Sequence, residues 1–166
     1  DEEAARAVRQ IGESRDELRR EAAEVLEPVL AAAGKHEELA DALEMRLRAQ
    51  TEAFERAGTL RAIAKVTEDS LRDLGRAERA LLRALAEQPD DGALHADIER
   101  VAALIGKDGW SLYADTLGER AASIFDARVT ADLFMRLGKV AERELSDLPR
   151  AAEAYARAAE QGGDGP

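Results

Sequence analysis

Any chemistry on this chain would have to come from two histidines, His36 and His95, and from abundant carboxylates and guanidines, because cysteine is absent. Neither histidine stands at metal-ligand spacing from the other or inside an HExxH-like run, so zinc and metalloprotease chemistry lack their donors. His36 reads as a turn residue packed between helices, and His95 as a helix-surface or packing residue. The carboxylates sit on Ala/Glu/Arg helices, where they form solvated faces, and no isolated acid pair is set apart for acid/base work. Serine-nucleophile motifs and glycine-rich phosphate loops are absent, and Gly106 to Trp110 (GKDGW) reads as a turn insertion that places Asp108 and Gly109 in the turn. Trp110 is the one bulky outlier and reads as an anchor between helices. A non-catalytic protein with no cofactor and no metal is the expectation. A helical enzyme or small-molecule sensor with a pocket near Trp110 is the remote alternative.

The elements that would position such residues announce themselves by repetition. Asp73 to Asp90 (DLGRAERALLRALAEQPD) returns as DLPRAAEAYARAAEQGGD from Asp147 to Asp164, an offset of 74 residues (147 − 73). The same gapless register carried back to His36 and Trp110 gives 18 identities in 55 positions, against roughly six by chance for so biased a composition. The composition is helical: Ala, Leu, Glu and Arg dominate, charged residues reach 36% and aromatics only 4%, so the core must be closely packed Ala and Leu. A net charge of −11 without a block of positive charge argues against nucleic acid and anionic membrane as partners. No apolar run approaches the ~20 residues of a membrane span, and no signal-peptide pattern opens the chain. The cytoplasm is the expected compartment. The chain starts with Asp, mid-helix, which suggests a segment of a longer protein whose targeting signals could lie outside it.

Read in order, residues 1–13 are expected to form the second helix of a truncated preceding repeat. Ser14 and Glu17 suggest a capping box opening a long helix through Leu18, Leu26 and Leu30, kinked at Pro28 and closed by Gly34. A second helix is predicted from about Glu37 to Gln50. Thr51 to Arg56 form a connector or a frayed extension of the next helix, and a third helix runs from about Ala57 to Arg72. Asp73 caps a fourth, which Pro89 stops. The pattern restarts at Asp91 and reaches Gly106; helices follow from near Trp110, from Ala127 to Leu145 and from Leu148 to about Gln161. Tyr113, Phe125, Phe134 and Tyr155 are expected to add core volume, and GGDGP reads as a disordered or appended tail.

The helix pairs resemble tetratricopeptide repeats. In the pair from about Ala57 to Asp91, Ala77 and Ala84 match the small crossing sites, Leu74 and Leu81 the large sites, and Pro89 the terminating proline. Its counterpart from about Ala131 matches with Phe134, Leu137, Gly138, Leu148, Ala151, Tyr155 and Ala158, with Gly163 in place of the proline. The pairs beginning near Arg20 and Gly92 depart together, at Leu39 and Arg46 and at Tyr113 and Arg120. The resemblance implies an all-α, right-handed α-α superhelix, a TPR-like solenoid spanning 14–165 with helix pairs at about 14–53, 54–91, 92–126 and 127–162. It also implies a protein-protein interaction scaffold with a concave groove lined by the first helix of each pair.

The four lysines fall into two repeat-equivalent pairs, Lys35 with Lys107 and Lys65 with Lys139. On the groove face that the resemblance implies, Arg61, Lys65, Arg100, Lys139 and Arg143 would form a basic ladder together with Met135, with Ala93, Ala96 and Leu104 as apolar floor. Such a ladder suits a protein or peptide partner, an acidic one above all. The competing reading pairs these cations with Glu68, Asp69 and Glu142 one turn away, worth a few tenths of a kcal/mol each. The other competing reading of the whole segment is a structural spacer within a longer repeat array.

Overall fold

A computed structural model describes residues 2–162, and these are all-α: nine α-helices, one 3-10 turn and no strand among the described residues. Two compact units emerge, 1–87 and 88–166. The first holds α1 (Glu2–Ser14), the 3-10 turn Asp16–Leu18, α2 (Arg19–Ala32), α3 (His36–Ala49), α4 (Ala53–Asp69) and α5 (Leu74–Glu87). The second holds α6 (Gly92–Ile105), α7 (Lys107–Ser123), α8 (Ala127–Arg143) and α9 (Leu148–Gly162). Within each unit consecutive helices pack on one another.

The 74-residue repeat is reproduced bond for bond where α4 turns into α5 and α8 into α9. Asp73 N–H donates to Thr67 O (2.9 Å) and Asp147 N–H to Ala141 O (2.8 Å). Asp73 Oδ1 then accepts from Arg76 N–H (2.9 Å) and Asp147 Oδ1 from Arg150 N–H (3.1 Å), which caps the helix that follows. One residue earlier, Arg72 (φ 56°) and Ser146 (φ 55°) take the left-handed conformation that reverses the chain. Non-glycine residues seldom sit there, so the bonds on either side must hold them.

Several local expectations are corrected. Ser14 caps no following helix: it is the last residue of α1, and its hydroxyl donates back to Gln10 O (2.7 Å), while Asp16–Leu18 form a separate 3-10 turn before α2. α4 starts at Ala53, so of the two readings of Thr51 to Arg56 the extension of the next helix holds and the connector does not. α7 starts at Lys107, which puts Asp108 and Gly109 inside its first turn rather than in a loop. Gly109 is there because a Cβ would lie 2.9 Å from the Ala102 backbone, where α6 and α7 cross. Pro28 lies within α2, and Gly34 ends the segment at φ 67° as expected. Phe125 adds nothing to the core, being fully exposed between α7 and α8, whereas Tyr113 and Phe134 are buried. Gly163 and the rest of the GGDGP tail after Gly162 lie outside the described residues.

The core is Ala and Leu. In unit 1, Leu26, Leu30 and Ala42 form one cluster and Ala22, Ala23 and Met45 another. α1 seats on the second through Gly12, whose Cβ would meet Met45 Sδ at 2.4 Å.

Candidate functional site

The residues of the basic ladder are divided between the units, Arg61 and Lys65 in the first and Arg100, Leu104, Met135, Lys139 and Arg143 in the second. Lys65 on α4 is exposed, and its ammonium bonds Asp69 Oδ2 at 2.8 Å, which raises its pKa. Arg61 is half-buried on the same helix. On α8, Met135, Lys139 and Arg143 recur at four-residue steps along one exposed stripe, and on α6 Arg100 and Leu104 do the same, with Ala93 and Ala96 exposed below them. The nearby Glu142 carboxylate is occupied by the Tyr155 hydroxyl (2.7 Å).

A polar centre that sequence reasoning missed lies inside unit 2. His95 and Tyr113 are fully buried, with His95 Nδ1 2.7 Å from Tyr113 Oη and Nε2 2.8 Å from Pro89 O. A carbonyl can only accept, so Nε2 carries the proton and Nδ1 accepts from the tyrosine hydroxyl. Burial holds the His95 pKa below its ordinary value and pushes the Tyr113 phenol well up. The Trp110 ring leans on Tyr113 with centroids 6.4 Å apart. Beside the phenol, Arg136 is held by Asp132 (2.9 Å) on its own helix and by Glu99 (3.8 Å) on α6. Both ring nitrogens of His95 are engaged with the protein, which fits a packing role and leaves neither free for a ligand. The signal was present in the repeat alignment. Ahead of the two extra residues Asp108 and Gly109 the repeat offset is 72, as from Gly34 to Gly106, so His95 stands in the register of Ala23, while Tyr113 stands in that of Leu39 at the offset of 74; these are two departures in one repeat that compensate each other.

In unit 1 the corresponding region is open. A cleft of about 310 Å³ lies among α2, α3 and α4, lined by Arg20, Glu24, Gln50, Phe54, Glu55 and Gly58 with Arg46 and Thr59 behind them. Arg46 donates to Glu27 Oε2 (2.8 Å) and Thr59 Oγ1 (3.3 Å), and Thr59 donates to Gln50 Oε1 (2.8 Å). Arg20 reaches Glu55 at 3.2 Å. Glu27 Oε1 is buried without a hydrogen-bond partner, and burial raises the Glu27 pKa against the pull of Arg46. Phe54 is 79% exposed at the rim.

The described residues contain no group of three His, Asp or Glu side chains arranged to hold a metal ion. No helix among them is long and apolar enough to cross a membrane. Compared with protein-family models, with curated proteins and with solved structures, the chain matches none.

Proposed function

We propose that this chain is a non-catalytic protein-interaction scaffold of the tetratricopeptide kind, a superhelical stack of helix pairs that holds a peptide or partner protein against the first helices of its pairs. The observation that carries the reading is the recurrence of one construction. The α4–α5 and α8–α9 turns share their hydrogen bonds and left-handed residues, and the same arginine of the repeat ties each second helix to the helix two before it. Arg76 on α5 pairs with Glu37 on α3 (2.8 Å), and Arg150 on α9 pairs with Asp115 on α7 (2.8 Å). Such ties suit pairs stacked in one direction, each repeat burying its face on its neighbour. In each unit the first helix of the repeated pair exposes cations, Lys65 on α4 of the first and Lys139 and Arg143 on α8 of the second, and each set is complementary to an acidic partner.

Affinity capture from the source cell's lysate, with wild type and the Lys65→Glu/Lys139→Glu variant, tests this. A partner held by the wild type and lost by a variant with unchanged helical circular dichroism supports the scaffold. If neither form captures a specific partner, the chain is a spacer between other repeats and the proposal fails.

A further inference from the structure

The two units treat one position of the repeat in opposite ways. In unit 2, Glu99 on α6 and Asp132 on α8 hold the guanidinium of Arg136. In unit 1, Glu27 occupies the register of Glu99, Gly58 that of Asp132 and Ala62 that of Arg136. The acid on the first helix is kept, while the arginine and the carboxylate that grips it are replaced by the two smallest side chains. Nothing lies within 4 Å of where a Gly58 Cβ would stand. A glycine inside a helix costs about 1 kcal/mol relative to alanine, and here no close packing requires it. Its effect is to keep the floor of the 310 Å³ cleft open.

The lining carries two arginines and two glutamates, and they are not equally engaged. Arg20 is matched by Glu55 and Arg46 by Glu27, which leaves Glu24 as the lining charge with no ionic partner among the described residues. The Phe54 ring stands exposed at the rim, one turn before Gly58. A carboxylate and an aromatic face around a side-chain-sized space form a receptor for a cation. The chain itself stacks a guanidinium on a ring in unit 2, where Arg157 lies 5.6 Å from the Phe134 centroid. The net charge of −11 favours a basic visitor over long range as well.

We infer that the α2–α4 cleft of unit 1 receives an arginine side chain of a partner peptide, its guanidinium placed between the Phe54 ring and the Glu24 carboxylate over Gly58. The inference rests on the reading of the chain as a peptide-binding scaffold and names the chemistry of one peptide position. A carboxylate there would face the unpaired Glu24, while both lining guanidiniums, Arg20 and Arg46, are already held by Glu55 and Glu27. The cleft therefore asks for a base, whereas the exposed cations of α8 ask for an acid.

The test titrates the full chain, labelled with nitrogen-15, with two tripeptides, acetyl-Ala-Arg-Ala-amide and the same peptide carrying neutral citrulline, and follows backbone amide shifts. Saturable shifts at 20–24 and 54–59 with the arginine peptide, at least fivefold weaker with citrulline, are expected. Glu24→Gln and Phe54→Ala are each expected to weaken binding about fivefold, roughly 1 kcal/mol. Gly58→Asp/Ala62→Arg, which copies unit 2 and fills the space from within, abolishes the shifts. If that double variant loses its helical signal, the two single variants decide. Equal response to citrulline, shifts elsewhere only, or binding indifferent to Glu24 and Phe54 overturns the inference. A partner captured through Lys65 and Lys139 by a chain that ignores the arginine peptide overturns this inference alone and leaves the scaffold standing. Saturable arginine binding by a chain that captures no partner upholds the cleft and removes the scaffold reading.

Discussion

The pairs α4–α5 and α8–α9 make the same turn with the same hydrogen bonds, yet they fill the space behind it differently. Where α4 and α5 place Ala64 and Leu81, α8 and α9 place Gly138 and Tyr155. Where α5 has Glu78, 3% exposed, α9 has an exposed Ala152. Where α2 and α3 have the buried Ala23 and half-buried Leu39, α6 and α7 have the hydrogen-bonded His95 and Tyr113. The backbone construction is constant and the side chains vary in compensating sets, so a substitution that copies half of a set should harm and one that copies the whole set should be tolerated.

The largest such effect is expected at His95. Replacing it by alanine removes a fully buried ring and strands both the Tyr113 hydroxyl and Pro89 O, a loss of about 3 kcal/mol. Adding Tyr113→Leu copies the Ala23 and Leu39 arrangement of unit 1 and removes the stranded hydroxyl, so the double variant should recover about 1 kcal/mol or more. Urea denaturation of the two variants measures the coupling; strictly additive losses would mean that the pair is no unit.

The next effect is a pH dependence of opposite sign in the two units. Burial pushes the Glu78 carboxyl of α5 from 4.5 up to about 7, and its Oε1 has no hydrogen-bond partner. Between those values the unfolded chain has released this proton and the folded chain still holds it, so stability falls as pH rises from about 4.5 to 7, by about 3 kcal/mol at most. His95 works the other way. Its folded pKa is held below 6.5, so as pH falls below that value the unfolded chain takes up a proton that the folded chain refuses, and stability declines. Denaturation profiles should lose the alkaline-going decline in Glu78→Gln and keep the acid-going decline. An unchanged profile would mean that Glu78 is ionised in the fold.

How much of this was legible in the sequence follows from what a sequence can carry. The 74-residue repeat, the helix order and the capping by Asp73 were readable because local periodicity and one carboxylate suffice to set them. The reading of Ser14 as a cap failed because a hydroxyl serves equally well bonded back into the helix that it ends. Phe125 was assigned to the core on type alone, although its place between two helices exposes it. The His95–Tyr113 bond joins residues on two helices, and only their three-dimensional crossing aligns donor with acceptor. For the cleft, Gly58 and Ala62 were visible as departures from Asp132 and Arg136, but small residues signify space only once the surrounding walls are known.

The smallest expected effect is also the sharpest test of compensation. A Cβ on Gly138 would lie 2.4 Å from Tyr155 Cε1 and 2.6 Å from Cδ1, so Gly138→Ala must displace a ring whose hydroxyl donates to Glu142. Overpacking of this kind costs about 1–3 kcal/mol, and alanine in place of glycine within a helix returns about 1 kcal/mol. The single variant should therefore be about 1 kcal/mol less stable than wild type. Gly138→Ala/Tyr155→Leu reproduces the Ala64 and Leu81 pairing on a backbone that makes the same turn, so the clash disappears while the propensity gain remains. Thermal melts should place the double variant above the single one and within about 1 kcal/mol of wild type. A double variant no better than the single would show that the Tyr155–Glu142 bond, and not the room made by Gly138, is what fixes α9 on α8.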